Sequence, residues 1–200
     1  MPIITRRDYL TAFVVGVLTA LFAVPTFVNV GLGTAPILAG LFVGIPILWV
    51  AGVWLGGFLG RWLPFFVQFG KFATTGFLSA SIDFGVLNIL SRWSGITAGL
   101  IVGGVNVPGF GLAVSNSYLW NRLWVFRQAP VEGVFRDFPK FLTVTVSGLL
   151  LNSGIVVFIT TYVPPQFGTG PEAWLNIAKI AASAVILIWN FIGYKMFVFR

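Results

Sequence analysis

Long apolar stretches, separated by short polar links, organise this chain. Six windows stand out: about Leu10 to Val30, Ile37 to Gly60, Phe72 to Leu90, Ile96 to Trp120, Phe141 to Tyr162 and Ala173 to Tyr194. Each is near the ~20 residues that a helix needs to cross ~30 Å of hydrocarbon. In that solvent the backbone must satisfy its own hydrogen bonds, so every window is predicted helical despite its β-branched residues. The first window follows Arg6 and Arg7, lacks a small-residue cleavage site and leads directly into another apolar run. It reads as a retained anchor rather than a signal peptide. The expected fold class is all-α, a polytopic membrane bundle of six transmembrane helices.

The pattern repeats itself. FGKF (69–72) opens a stretch that LWVFR (123–127) closes, and FPKF (138–141) opens a second that MFVFR (196–200) closes. Two apolar windows lie within each. The openings are 69 positions apart and the closings 73. An even number of helices per copy makes both copies enter the membrane from the same side, which predicts a parallel internal repeat. The predicted organisation is an additional N-terminal transmembrane hairpin over 1–68, then a four-helix domain over 69–200 with repeat copies 69–127 and 138–200. Glycines at 52, 56 and 60, and again at 95, 99 and 103, have the spacing that lets helices approach closely.

Composition narrows the function classes. Hydrophobic residues make up 58% and charged residues 8%, against about 25% charged in a soluble domain. There is no cysteine and no histidine, which removes thiol chemistry, the usual zinc and copper ligands and the commonest general base. No metal site and no cofactor are expected. GxxxxGK does not occur, so direct ATP hydrolysis is not expected. Of five carboxylates only Asp83 is expected to be buried, so no acid/base pair can be assembled and an enzyme is not expected.

Charge sets the orientation. With a cytoplasmic N-terminus, Arg6, Arg7, Arg61, Lys71, Arg122, Arg127, Arg136, Lys140, Lys195 and Arg200 all fall on or near the cytoplasmic face. Arg92 alone falls outside and Lys179 lies within a span. This asymmetry predicts a multi-pass protein of the inner (plasma) membrane with both termini cytoplasmic. The net charge of +7 is divided among helix ends. That suits an anionic bilayer surface and argues against nucleic acid as a partner.

Three polar sets are candidates for chemistry. Asp83 lies ~18 Å beyond Lys71 along a helix, and Lys179 lies ~24 Å before Lys195. Their depths are similar, so an ion pair between the third and sixth helices is expected, as a polar centre that receives a charged headgroup or couples to an ion; the alternatives are a structural pin and a Lys179 that snorkels to the outer surface. Asn88, Asn106, Asn116, Asn152 and Asn190 form the second set, with Asn152 at the place in copy two that Asp83 holds in copy one. They read as interhelical bonds or, facing one cavity, as ligands of sugar hydroxyls. Pro108 and Gly109 predict a kink in the fourth helix. Lys71, Arg122, Lys140 and Lys195 form the third set, flanked by Trp120, Trp124, Phe126, Phe197 and Phe199. They suit a lipid phosphate, or are ordinary snorkelling cations in an aromatic belt.

Four segments carry a resemblance: KFATTGFLSASIDFGV (71–86), SNSYLWNRLWVFR (115–127), FPKFLTVTVSGLLLN (138–152) and AKIAASAVILIWNFIGYKMFVFR (178–200). In this order they resemble the GtrA-like family of small polytopic membrane proteins over about two thirds of the chain. Typical members have four helices, so the hairpin before Phe69 departs from the pattern. The resemblance implies a flippase that moves a polyprenyl-phosphate-linked sugar from the cytoplasmic to the outer leaflet for cell-surface polysaccharide synthesis. It implies a phosphate at Arg122, Lys195, Lys71 or Lys140, a sugar among Asp83, Asn116, Asn152 and Asn190, and Lys179 drawing the phosphate outward. The partners expected are the lipid-linked sugar, a membrane glycosyltransferase on the scaffold reading given next, and further copies in a homo-oligomer, because four or six helices are few for a sealed translocation path. Two alternatives stand beside it: a non-transporting scaffold for such a glycosyltransferase, and a small-solute exporter.

Overall fold

The apolar windows become helices, five of which begin a few residues before the predicted limit, in the polar links. In the computed structural model these are α1 Arg6–Asn29, α2 Ala35–Leu59, α3 Phe65–Ser94, α4 Ile101–Trp120, α5 Phe138–Tyr162 and α6 Pro171–Gly193. The structure describes residues 4–29, 31–95, 101–126, 136–166, 168 and 171–199. The chain is an all-helical, multi-pass membrane protein. Among the described residues α1, α2 and α3 are each long and apolar enough to span a bilayer. Their outward positions are Leu, Phe, Val and Trp, as at Leu10, Phe13, Val43 and Trp54, which is the surface that lipid favours and water does not.

Local chemistry sets the helix ends. Asp8 Oδ2 accepts from the backbone N–H of Thr5 at 2.8 Å and from its hydroxyl at 2.9 Å, which makes Asp8 the reciprocal half of a capping box at the start of α1. Gly31, at φ +82°, closes α1: Leu32 N–H reaches Phe27 O at 2.8 Å and Gly31 N–H reaches Val28 O at 3.2 Å, a Schellman arrangement. Pro36 sits in the first turn of α2, where its missing N–H costs nothing. Helices α4 and α6 both run into a five-residue π-helical turn, Asn121–Val125 and Tyr194–Val198 respectively. These turns carry the two closing motifs.

The chain divides into two compact units, Met1–Arg127 and Gln128–Arg200. In the first, the extra hairpin is integral: α1 packs on α2 and α3, α2 packs on α3, and α3 packs on α4. Small residues permit these crossings. A Cβ on Gly16 would lie 2.5 Å from Pro46 Cα, and one on Gly56 would lie 2.7 Å from the Phe66 carbonyl oxygen. Gly56 thus does what the glycine spacing of the second helix predicted. Gly95 does not: it lies outside α4, at φ +72°. The core of this unit joins Ala12 and Val15 of α1, Val53 of α2, Leu78 and Ile82 of α3, Ala113 of α4 and Trp124 of the π turn. In the second unit α5 packs on α6 and on its π turn, where Phe141 stacks on Tyr194 with ring centroids 4.5 Å apart.

Candidate functional site

Helix α3 carries polar side chains at every fourth position from Lys71: Thr75, Ser79 and Asp83. At ~100° per residue such positions follow one slowly drifting ridge. Two of the hydroxyls serve the helix itself. Thr75 bonds the Phe72 carbonyl at 3.0 Å and Ser79 bonds the Thr75 carbonyl at 3.1 Å. Asn116 of α4 donates to Ser79 Oγ at 3.0 Å, so this amide ties α3 to α4.

The charged end of the ridge is buried. Lys71 is buried, at 4% exposure, and its Nζ lies 2.7 Å from Oδ1 of a fully buried Asp8. Trp124 Nε1 donates to the same oxygen at 2.9 Å. With the two Thr5 bonds, Lys71, Trp124 and Thr5 all donate to this one carboxylate. The expectation that Asp83 alone among the carboxylates would be buried is therefore corrected: Asp8 is more buried, and α1 brings it there. The sequence carried a signal for it, a Thr-x-x-Asp capping pattern just before an apolar run. Burying a carboxylate and an ammonium in a membrane protein is tolerable only because each satisfies the other.

Arg122 is also buried, at 5% exposure, on the π turn after α4, with its guanidinium 3.3 Å from the Tyr118 hydroxyl. Lys140 and Lys195 of the second unit are exposed, and Lys195 Nζ lies 5.8 Å from the centre of the Phe191 ring. The four cations thus fall into a buried pair in the first unit and an exposed pair in the second.

Asp83 is half-buried on α3, and its Oδ1 is enclosed with no hydrogen-bond partner among the described residues. It faces Gly109 of α4, whose Cβ, if present, would lie 3.1 Å from Oδ1 and 2.7 Å from the Asp83 carbonyl. Helix α4 continues through Pro108, and Gly109 closes this crossing rather than opening a gap. Asn190 of α6 repeats the arrangement in the second unit. Its Oδ1 is enclosed and has no hydrogen-bond partner among the described residues, and a Cβ on Gly148 of α5 would lie 2.8 Å from it. The side chains of Lys179, Asn152 and Asn106 lie outside the described residues, and the expected pairing of Asp83 with Lys179 falls there. Asn88 has a structural place: it accepts from Asn29 at 2.6 Å and donates to Thr26 at 3.2 Å and to Phe84 O at 2.8 Å, linking α3 to the far end of α1.

A further buried contact fastens the second unit. The Tyr194 and Thr145 hydroxyls lie 2.7 Å apart, joining the π turn to α5. Tyr194→Phe is expected to cost about 1 kcal/mol, read as a small drop in thermal unfolding temperature in detergent. No change would mean that the bond adds nothing to the stacking on Phe141.

The family model for the GtrA/DPMS transmembrane domain matches residues 71–199. The chain belongs to that family. It is 29% identical over 133 residues to YngA, an uncharacterised membrane protein of Bacillus subtilis (strain 168), covering 65% of this chain and 78% of that protein. It is 29% identical over 91 residues to YwcD, an uncharacterised membrane protein of the same organism, covering 44% of this chain and 65% of that protein. No solved structure matches. The family match begins at Lys71, so α1, α2 and Asp8 lie wholly before it.

Proposed function

We propose that this protein is a flippase for a polyprenyl-phosphate-linked sugar, non-enzymatic, working in the inner membrane with both termini cytoplasmic. Three side-chain oxygens are enclosed without a partner among the described residues, Asp83 Oδ1, Asn121 Oδ1 and Asn190 Oδ1; the observation that carries the reading is that two of them, Asp83 in the first unit and Asn190 in the second, are each pressed against a glycine of the neighbouring helix. An unsatisfied buried acceptor costs roughly 1–3 kcal/mol, and native structures hold few of them. Sugar hydroxyls are donors. If α3 separates from α4, or α5 from α6, a hydroxyl entering the gap supplies the missing bond, and the resting state's deficit favours the loaded state. Asn116, whose amide already bonds Ser79, and Asn152 extend the acceptor set. Lys140 and Lys195, exposed at the end assigned to the cytoplasm, suit the first encounter with the lipid phosphate. Arg122 and Lys179 suit its later positions. The polyprenyl chain stays in lipid, so only the headgroup needs shelter. Family membership supports this reading over a small-solute exporter.

The test separates function from packing. Asp83→Leu and Asn190→Leu remove the orphaned acceptors at similar volume. Each variant is expected to be at least as stable as the parent, yet to flip a polyprenyl-phosphate sugar in reconstituted vesicles at least tenfold more slowly. Parental flipping in both would remove these oxygens from the mechanism. No flipping by the parent protein alone, together with co-purification of a polyprenyl-phosphate glycosyltransferase, would favour the scaffold instead.

A further inference from the structure

The geometry points to an oxyanion-binding site at Lys71 and Trp124 that the N-terminal extension fills with the carboxylate of Asp8. The inference goes beyond the proposed transport and holds whether or not the protein flips lipid. Three observations combine. First, the two donors that meet Asp8 Oδ1, Lys71 Nζ at 2.7 Å and Trp124 Nε1 at 2.9 Å, come from opposite ends of the first repeat copy. A cation and an indole N–H converging on one oxygen is an arrangement that any carboxylate or phosphate oxygen satisfies, since charge-assisted bonds of this length form equally to both. Second, the anion and its remaining donors, Thr5 N–H and Oγ1, come from residues 5–8, outside the matched domain that begins at Lys71. The domain supplies the receptor and the extension supplies the ligand. Third, the second copy shows the same position without an extension. Lys140, at the place of Lys71 in the opening motif, is exposed, and Phe197, at the place of Trp124 in the closing motif, is exposed and has no N–H to offer. The first copy's site is thus distinct in chemistry as well as in being covered.

The expected ligand is a phosphate group, from a phospholipid headgroup or from free phosphate. Asp8 competes with it directly. The thermal unfolding of the full chain in zwitterionic nanodiscs is measured against inorganic phosphate, with chloride holding ionic strength constant, and again in nanodiscs containing phosphatidic acid. Asp8→Asn keeps the shape and vacates the charge. It is expected to unfold at a lower temperature than the parent and to be restored saturably by phosphate, because a ligand that binds only the folded state stabilises it. Its apparent affinity is expected to exceed the parent's by at least tenfold. Asp8→Asn/Lys71→Met is expected to lose that response. Restoration by phosphatidic acid alone identifies a lipid headgroup, and restoration by inorganic phosphate identifies a soluble anion as sufficient. Either supports the site. Equal shifts in the parent, the single and the double variant would overturn it, as would no shift in Asp8→Asn. Thr5→Ala keeps the charge pair and the backbone N–H bond but removes the hydroxyl donor to Oδ2, which loosens Asp8, and serves where Asp8→Asn does not fold. A weaker phosphate response is expected from it, and none would overturn the site equally.

Discussion

Lys71→Met is expected to destabilise the first unit by about 3–5 kcal/mol, the largest loss among single substitutions outside the glycine crossings. The reason is asymmetric. The pair Lys71–Asp8 contributes little net stability, because removing both charges from water costs nearly what their attraction returns. Removing one partner leaves Asp8, with no exposed surface, holding a buried charge without the ammonium at 2.7 Å that balanced it. The double variant Asp8→Asn/Lys71→Met removes that uncompensated charge and is expected to recover most of the loss. A thermodynamic cycle over the two single variants and the double, measured by unfolding in detergent, should therefore give a coupling of several kcal/mol. Such a value exceeds the range usual for residues in simple contact. Additive effects would mean that the two groups do not sense each other as the 2.7 Å separation requires.

Much of the helical scaffold could be read from the chain because hydrocarbon permits so few solutions. An apolar window of some twenty residues must be a helix, and all six predicted windows overlap one. What the windows could not reveal was partnership. Lys71 stood at a helix end in a basic motif, and snorkelling is the usual fate of such a lysine. Its burial depends on a carboxylate 63 positions away, and nothing in the spacing of an apolar pattern encodes which helix crosses which. The local half of the answer was present, since Thr5-Arg6-Arg7-Asp8 has the form of a helix start. A capping carboxylate ordinarily faces solvent, however, and only the packing of α1 on α3 turns Asp8 inward. The amides show the same limit. Asn88 and Asn116 fall in spans as predicted, and each bonds a neighbouring helix. Asn190 is polar at a comparable place and has an oxygen with no partner among the described residues. Residue type alone does not separate the satisfied amide from the orphaned one.

Gly85→Val tests the packing of the extension on the family domain at the end away from Asp8. Gly85 is buried on α3, and a Cβ there would overlap the carbonyl oxygen of Phe22 in α1. A side chain in the way can change rotamer, but a backbone carbonyl within a helix cannot move without moving the helix. The two axes must therefore separate, and overpacking of this kind typically costs about 1–3 kcal/mol. The separation also pulls on Asn88, one turn further along α3, whose bonds to Asn29 and Thr26 span the same interface. Its loss would leave three polar groups facing lipid, so the total cost is expected at the upper end of that range or above it. Gly44→Val on α2 is the matched control, since a Cβ there meets nothing within 4 Å. It is expected to leave stability within about 1 kcal/mol of the parent, the span of intrinsic helix propensities. If both substitutions lower the unfolding temperature equally, the close approach of α1 to α3 at Phe22 is not what holds the extension in place. If only Gly85→Val does so, while Lys71 stays paired with Asp8, the extension is fastened at two independent points: an ion pair at one end of α1 and backbone contact with an amide clasp at the other.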